Sequence, residues 1–321
     1  MKSQSQAFSL ENQINLRDNL TLAPGIRYEI GKSNLRGKIL YLEASQVPQQ
    51  VSYNFLTWGF HGQWSHQNGV RIFGGFSQAN RPVLFQDLIP GDPFMRIAEG
   101  LQHSTGYNAE IGFENRKNQI LQYNLTFFQT SIGNRIGNII TFEMGQPFTI
   151  KSNLGDSQTN GIELWINGIL HTSSSKKISV FNASSFMDGR YTSGLIRDKL
   201  VNVSLVGNRI ESVPKWIIRS GFVFELGRFK SIFQHQFVSR TYSDPLNTEI
   251  PSPDGAIGKV PEYHVFDVNC SFSLSANQTL RFGVNNLFNR DYFIKRPTMY
   301  PGAGIWPSDG RGFVFSIAMK I

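Results

Sequence analysis

Apolar and polar residues alternate along most of the chain. Phe8, Leu10, Ile14 and Leu16 interleave with Ser9, Glu11, Gln13 and Asn15; Leu22, Ile26, Tyr28 and Ile30 interleave with Thr21, Arg27 and Glu29. A period of two predicts β-strands with one greasy and one polar face. Pro24 predicts a bulge or interruption in its strand, because proline donates nothing to a ladder. The pattern returns around Trp58–Trp64, Val70–Phe76, Tyr107–Phe113, Leu121–Phe127, Ile162–Ile166, Trp216–Phe224, Phe266–Leu274, Leu280–Val284 and Phe313–Ile321. It is less regular after Ile178 and near Phe233–Phe237, where His235 falls on the apolar side.

The gaps are of two kinds, and they alternate. Short polar turns fall at 17–19, 67–69, 117–119, 227–228 and 275–277. Longer segments separate them, including 33–53, 78–105, 187–214 and 240–262, with a medium Gly- and Asn-rich gap running through Arg135 and Gly145. A soluble β-sandwich used as a binding module has no reason to sort its loops this way. An up-and-down transmembrane barrel does, with short turns at one end and long loops at the other. The apolar faces carry almost no charge, and the opposite faces carry Asn, Gln, Glu, Ser and Arg, as for lipid outside and water within. The expected fold is therefore all-β: an antiparallel transmembrane β-barrel.

The alternation gives about thirteen strands, whereas single-chain bacterial barrels have even numbers. Counting back from the last strand, the first starts on the long-loop side. The N-terminal residues lack the apolar segment of a signal peptide. An open sheet edge in lipid is costly. Together these lead us to expect residues 1–321 to be the C-terminal part of a larger barrel.

Composition narrows the partners. The chain is 17% charged, below the roughly 25% of soluble domains, and carries a net charge of +8. Lys and Arg do not run together, so nucleic acid is the weakest partner and anionic lipid or an anionic ligand is stronger. The single cysteine, Cys270, sits among Phe266, Val268, Phe272 and Leu274 and reads as a packed hydrophobe. The six histidines are scattered, and neither they nor the carboxylates Glu110 and Glu114 form a catalytic pattern, so no enzyme, metal site or cofactor is expected.

Several segments, in order, resemble one family. They include ENQINLRDNLTLAPGIRYE at 11–29, GYNAEIGFE at 106–114, NLGDSQTNGIEL at 153–164, YSDPLNT at 242–248, GKVPEYHVFD at 258–267 and NNLFNRDYF at 285–293. The chain resembles TonB-dependent outer-membrane receptors, especially those of the ferric-citrate-like siderophore type. The resemblance implies about thirteen C-terminal strands of a 22-stranded barrel, about the size class of plugged outer-membrane transporters, with the plug domain absent from this chain. It also implies a Gram-negative outer-membrane location and a ferric-chelate ligand. Energy would come from the inner-membrane coupling protein TonB, through the missing N-terminal part. A passive porin or an adhesin is the alternative within the membrane.

Cations in the long loops are the candidate ligand contacts, since guanidinium matches carboxylate geometry. They are Arg81 and Arg96, with Gln86; Arg190, Arg197 and Arg209; and Lys295 and Arg296, with Tyr300. Contact with outer-membrane lipid and lipopolysaccharide is the competing role for the same charges.

Overall fold

The computed structural model describes residues 2–34, 50–91, 95–143, 146–198, 201–297 and 302–320. Thirteen strands are hydrogen-bonded to one another in chain order, all antiparallel. They are β1 (Lys2–Glu11), β2 (Leu20–Asn34), β3 (Gln50–Ser65), β4 (Val70–Arg81), β5 (Ser104–Asn115), β6 (Leu121–Glu143) and β7 (Gln146–Thr172). The rest are β8 (Lys176–Tyr191), β9 (Trp216–Leu226), β10 (Phe229–Val238), β11 (Tyr263–Ser275), β12 (Gln278–Asn285) and β13 (Gly312–Met319). The expected number and order of strands are met. β1 and β13 are the two edges of the sheet.

Pro24 interrupts the ladder on one side only. β2 pairs with β3 without a break, Pro24 lying opposite Phe60. On the other side β1 pairs as far as Glu11 with Gly25, and pairing resumes at Ile14 with Leu22. Asn12 and Gln13 drop out where the proline has no N–H to give, and the Asn12 N–H still donates to the Pro24 carbonyl at 3.1 Å.

The medium gap expected through Arg135 is instead strand. β6 and β7 run on as one hairpin, paired from Leu121 with Gly168 up to Glu143 with Gln146. β5 leaves β6 at Gly133 and β8 leaves β7 at Ser157, so the upper part is a ribbon of β6 and β7, flanked by the short segment Met95–Ile97. A bulge at its base, with Asn134 at φ 50°, accommodates the Gly-Asn pair. The long segment expected at 33–53 is also shorter than its pattern, since β2 continues to Asn34 and β3 starts at Gln50.

One face of the sheet carries the large apolar side chains, and nothing packs on them. Phe8, Leu56, Trp58, Ile111, Phe222, Phe282, Phe313 and Phe315 are all exposed. A sandwich would bury these residues against a second sheet; the single sheet leaves them for lipid. The opposite face is polar. Across β9, β10 and β11, Arg219 lies beside Gln236 and Gln234 beside Asp267, while Lys230 pairs with Glu225 at 3.0 Å. Some aromatics that turn inward lie against glycines of a neighbouring strand: Tyr53 on Gly31, Phe73 on Gly112, Phe128 on Gly161 and Phe181 on Gly221. A Cβ at any of these glycines would collide with the ring.

The buried apolar core among the described residues lies at the long-loop end, above the sheet. It joins Leu154 of β7 and Tyr191 of β8 to Ile196, Leu205 and Ile210 of the following segment, with Val213 and Leu246 against it. A small hairpin, Leu195–Asp198 with Val201–Ser204, supplies part of it. The long loops at this corner are thus a packed cap.

Candidate functional site

The loop end of the polar face gathers most of the buried charge. Between β4 and β5 a single helical turn, Phe85–Leu88, brings Asp87 under the rim. Asp87 is almost wholly buried; its carboxylate accepts from Arg81 at 2.9 Å, from Lys151 of β7 at 3.3 Å and from the Leu84 N–H at 3.1 Å. Burial alone would raise this carboxyl, but those donors and cations outweigh it and hold it below the usual carboxylate range. The same segment is fixed to the ribbon by Asn153, which accepts from the Gln102 N–H at 2.7 Å and donates to the Gln102 carbonyl at 3.0 Å. Met95–Ile97 adds a short parallel strand along Thr149–Lys151.

A second cluster stands beside it. The Tyr191 hydroxyl, buried in the cap core, donates to Glu211 at 2.8 Å, and Arg135 of β6 lies 3.6 Å from the same carboxylate. Arg135 Nε is buried and makes no hydrogen bond within the chain. A cleft of about 330 Å³ opens between the two clusters. Arg81, Ser104, Asn108, Thr130, Ile132 and Arg135 are among its lining residues. Thr130 donates to Asn108 at 2.8 Å on the same wall. Two guanidiniums, with hydroxyls and amides set among the apolar side chains of Ala79, Ile132 and Ile136, can receive a carboxylate-bearing or similarly anionic molecule.

The loop residues singled out in the sequence do not form one group. Arg81 lines the cleft. Gln86 is exposed on the helical turn, where its carbonyl accepts from Lys151 at 3.2 Å, and Arg96 lies over the Phe148 ring at 4.5 Å. Arg296 is buried and acts as a strut, its Nε and Nη1 donating to the carbonyls of Lys259 at 3.1 Å and Gly255 at 2.7 Å. Lys295 beside it is exposed. Arg190 and Arg209 form an isolated antiparallel bridge on the outer side of the sheet. Arg197 pairs opposite Asn202 in the small hairpin, with its side chain outside what the structure describes, and Tyr300 lies outside the described residues. Arg135, Lys151 and Asp87 were not singled out in the sequence. Arg135 sits in the stretch read as a gap, and only the register of β6 on β7 brings it to the cleft.

Comparison with known proteins places the chain. The model of the TonB-dependent receptor-like β-barrel family matches residues 1–287. Among curated proteins, the metal-pseudopaline receptor CntO of Pseudomonas aeruginosa is 22% identical over 183 residues, which is 57% of this chain and 23% of that receptor. Among solved structures, the siderophore receptor PiuA from Acinetobacter baumannii aligns with a TM-score of 0.74 at 19% identity, over 99% of this chain and 43% of its own. The unliganded ferric citrate transporter FecA aligns at 0.78 and 18% identity, over 99% and 45%. The copper transporter OprC aligns at 0.77 and 16%, over 99% and 49%. At these identities the structures share the fold. The chain spans under half of each and about a quarter of the curated receptor.

Proposed function

Because this chain belongs to the TonB-dependent receptor-like β-barrel family, outer-membrane barrels for siderophore and metal uptake, we propose that it forms the C-terminal part of the barrel of a ferric-siderophore receptor. The ligand proposed is a carboxylate-type iron chelate of the ferric citrate kind. The observation that carries this is the cleft on the polar face, where the Arg81 and Arg135 side chains meet hydroxyl and amide side chains. The Arg135 side chain keeps about 24% of its surface open beside Glu211, so a carboxylate oxygen from outside can meet its guanidinium. Gln86, Arg96 and Lys295 belong to loops at the same end and are proposed as further contacts, with Arg197 and Tyr300 as the remaining candidates from the sequence, while Arg296 is taken up by the fold.

The rest of the proposal follows from the two edges. An unpaired strand in lipid costs several kcal/mol per backbone group, so β1 and β13 need neighbours. We assign these to further strands of the same receptor, with TonB acting through a part outside this chain. The polar face would then line a lumen through which the chelate passes unchanged.

In the complete receptor, Arg81→Gln combined with Arg135→Gln is expected to weaken ferric citrate binding at least tenfold, each guanidinium–carboxylate hydrogen bond being worth about 1.5–3 kcal/mol. Isothermal titration with purified receptor measures this. Wild-type affinity in the double variant would remove the cleft from the proposal.

A further inference from the structure

The outer wall changes character at one level. Phe186 of β8 faces outward with its register partners Ile162 and Trp216, and its ring lies 4.7 Å from the Trp216 ring. Paired aromatics at the end of an apolar face mark the boundary between acyl chains and headgroups. Directly above, on the same face, the side chains become polar. The Tyr107 hydroxyl donates to Gln129 at 2.7 Å, Gln129 donates to Asn160 at 2.8 Å, and Asn160 is the register partner of Asp188.

Three cations gather at this height. Arg190 is two residues above Asp188 on the outward side, and Arg209 is its bridge partner, so both side chains share that face. Asn247 holds Arg209 by its backbone, accepting from its N–H at 2.7 Å and donating to its carbonyl at 2.8 Å. Lys215 reaches back over the Phe186 ring, with Nζ 5.2 Å from the centroid. Asp188 is the carboxylate that opposes them, bonded to Arg190 Nε at 3.1 Å. Arg190 also donates to the Gly207 carbonyl at 3.0 Å. Glu249, the next acidic group along the loops, is already held by Lys259 at 2.8 Å and Tyr242 at 2.7 Å. The exposed Arg190–Asp188 pair is weak, and the patch keeps a surplus of positive charge.

We propose that Arg190, Arg209 and Lys215 bind the phosphate of an anionic lipid of the outer leaflet, with the lipid's acyl chains against Phe186 and Trp216. The patch continues the lipid-facing wall upward, so its natural occupant is a molecule whose apolar part already lies on that wall. Three donors of fixed positive charge suit a phosphate monoester better than a zwitterionic headgroup. The proposal rests on the outer-membrane placement of the family and not on the transported ligand, so unchanged ferric citrate binding leaves it intact.

Native mass spectrometry tests it on the complete receptor that contains this chain, purified from outer membranes in mild detergent. The probes are bisphosphorylated lipid A and the same lipid stripped of both phosphates. Wild-type protein is expected to retain the phosphorylated lipid selectively. Arg190→Gln with Lys215→Gln is expected to weaken retention about thirtyfold, at roughly five- to sixfold per surface charge. Lys117→Gln, in a short turn at the opposite end, is expected to change nothing. Wild-type retention by the double variant overturns the proposal. So does displacement of the lipid by millimolar inorganic phosphate. If the double variant fails to fold, the wild type decides alone: equal retention of the two lipids overturns the proposal, and preference for the phosphorylated one sustains it.

Discussion

At the scale of single residues, burial separates charges that hold the fold from charges free to meet a ligand. Asp87 is buried with two cations and a backbone N–H on its oxygens. Its folded pKa lies below the unfolded value. Its stabilisation is therefore complete above the unfolded value of about 4 and is lost as pH falls through the folded one. Asp87→Asn is expected to cost about 3 kcal/mol, the scale of breaking a buried pair, and to speed amide exchange in residues 82–91 at neutral pH. In the wild type the same segment should loosen only below about pH 4. Arg81 was legible as a candidate because it is a cation in a long gap between strands. Arg296 looked the same in sequence, and only the fold reveals carbonyls of the neighbouring loop around it. Partners brought in from 37 or more residues away leave no local pattern.

At the scale of elements, alternation located the strands and underestimated their length. The Asn-, Gly- and Ile-containing segment from Ile132 to Ile140 looks like a loop because a bulge shifts its parity near Asn134. Pairing with β7 resumes beyond the bulge, and Leu154 on β7 then reaches the cap core. Gly155 and Gly194 lie backbone to backbone there, at φ 130° and 134°, conformations that side chains rarely adopt. The long loop after β8 is thus anchored at both ends, by Leu154 and by the Tyr191–Glu211 bond. Leu154→Ala should leave a cavity and destabilise the cap by about 2–5 kcal/mol. Hydrogen exchange should then rise across 195–213 and stay constant in β9 to β12. The short hairpin 195–204 escaped detection in sequence because four-residue strands carry too few alternations to count.

For the whole molecule, the decisive property is which solvent each face meets. The apolar face is continuous apart from a polar seam in which each group finds a partner. Asn182 donates to Ser220 at 2.7 Å, Ser184 donates to Asn182 at 2.8 Å, and a ring nitrogen of His235 lies 2.9 Å from one of His264. Groups satisfied in this way can face hydrocarbon. Phe222→Arg, on that face, is expected to cost about 2–4 kcal/mol of membrane stability, read as a lower urea midpoint in lipid vesicles. Gln234→Arg, on the opposite face of the neighbouring strand, should leave the midpoint within error. Equal effects at the two positions would mean that the faces do not meet different solvents. The unequal lengths of the strands have a consequence for the cell. Beyond Gly133 and Ser157, β6 and β7 continue as a ribbon of about nine residues, roughly 30 Å at 3.3 Å each. Among the described strands these two reach furthest past their neighbours, so an antibody or phage tail fibre too bulky to enter the mouth is expected to meet this hairpin.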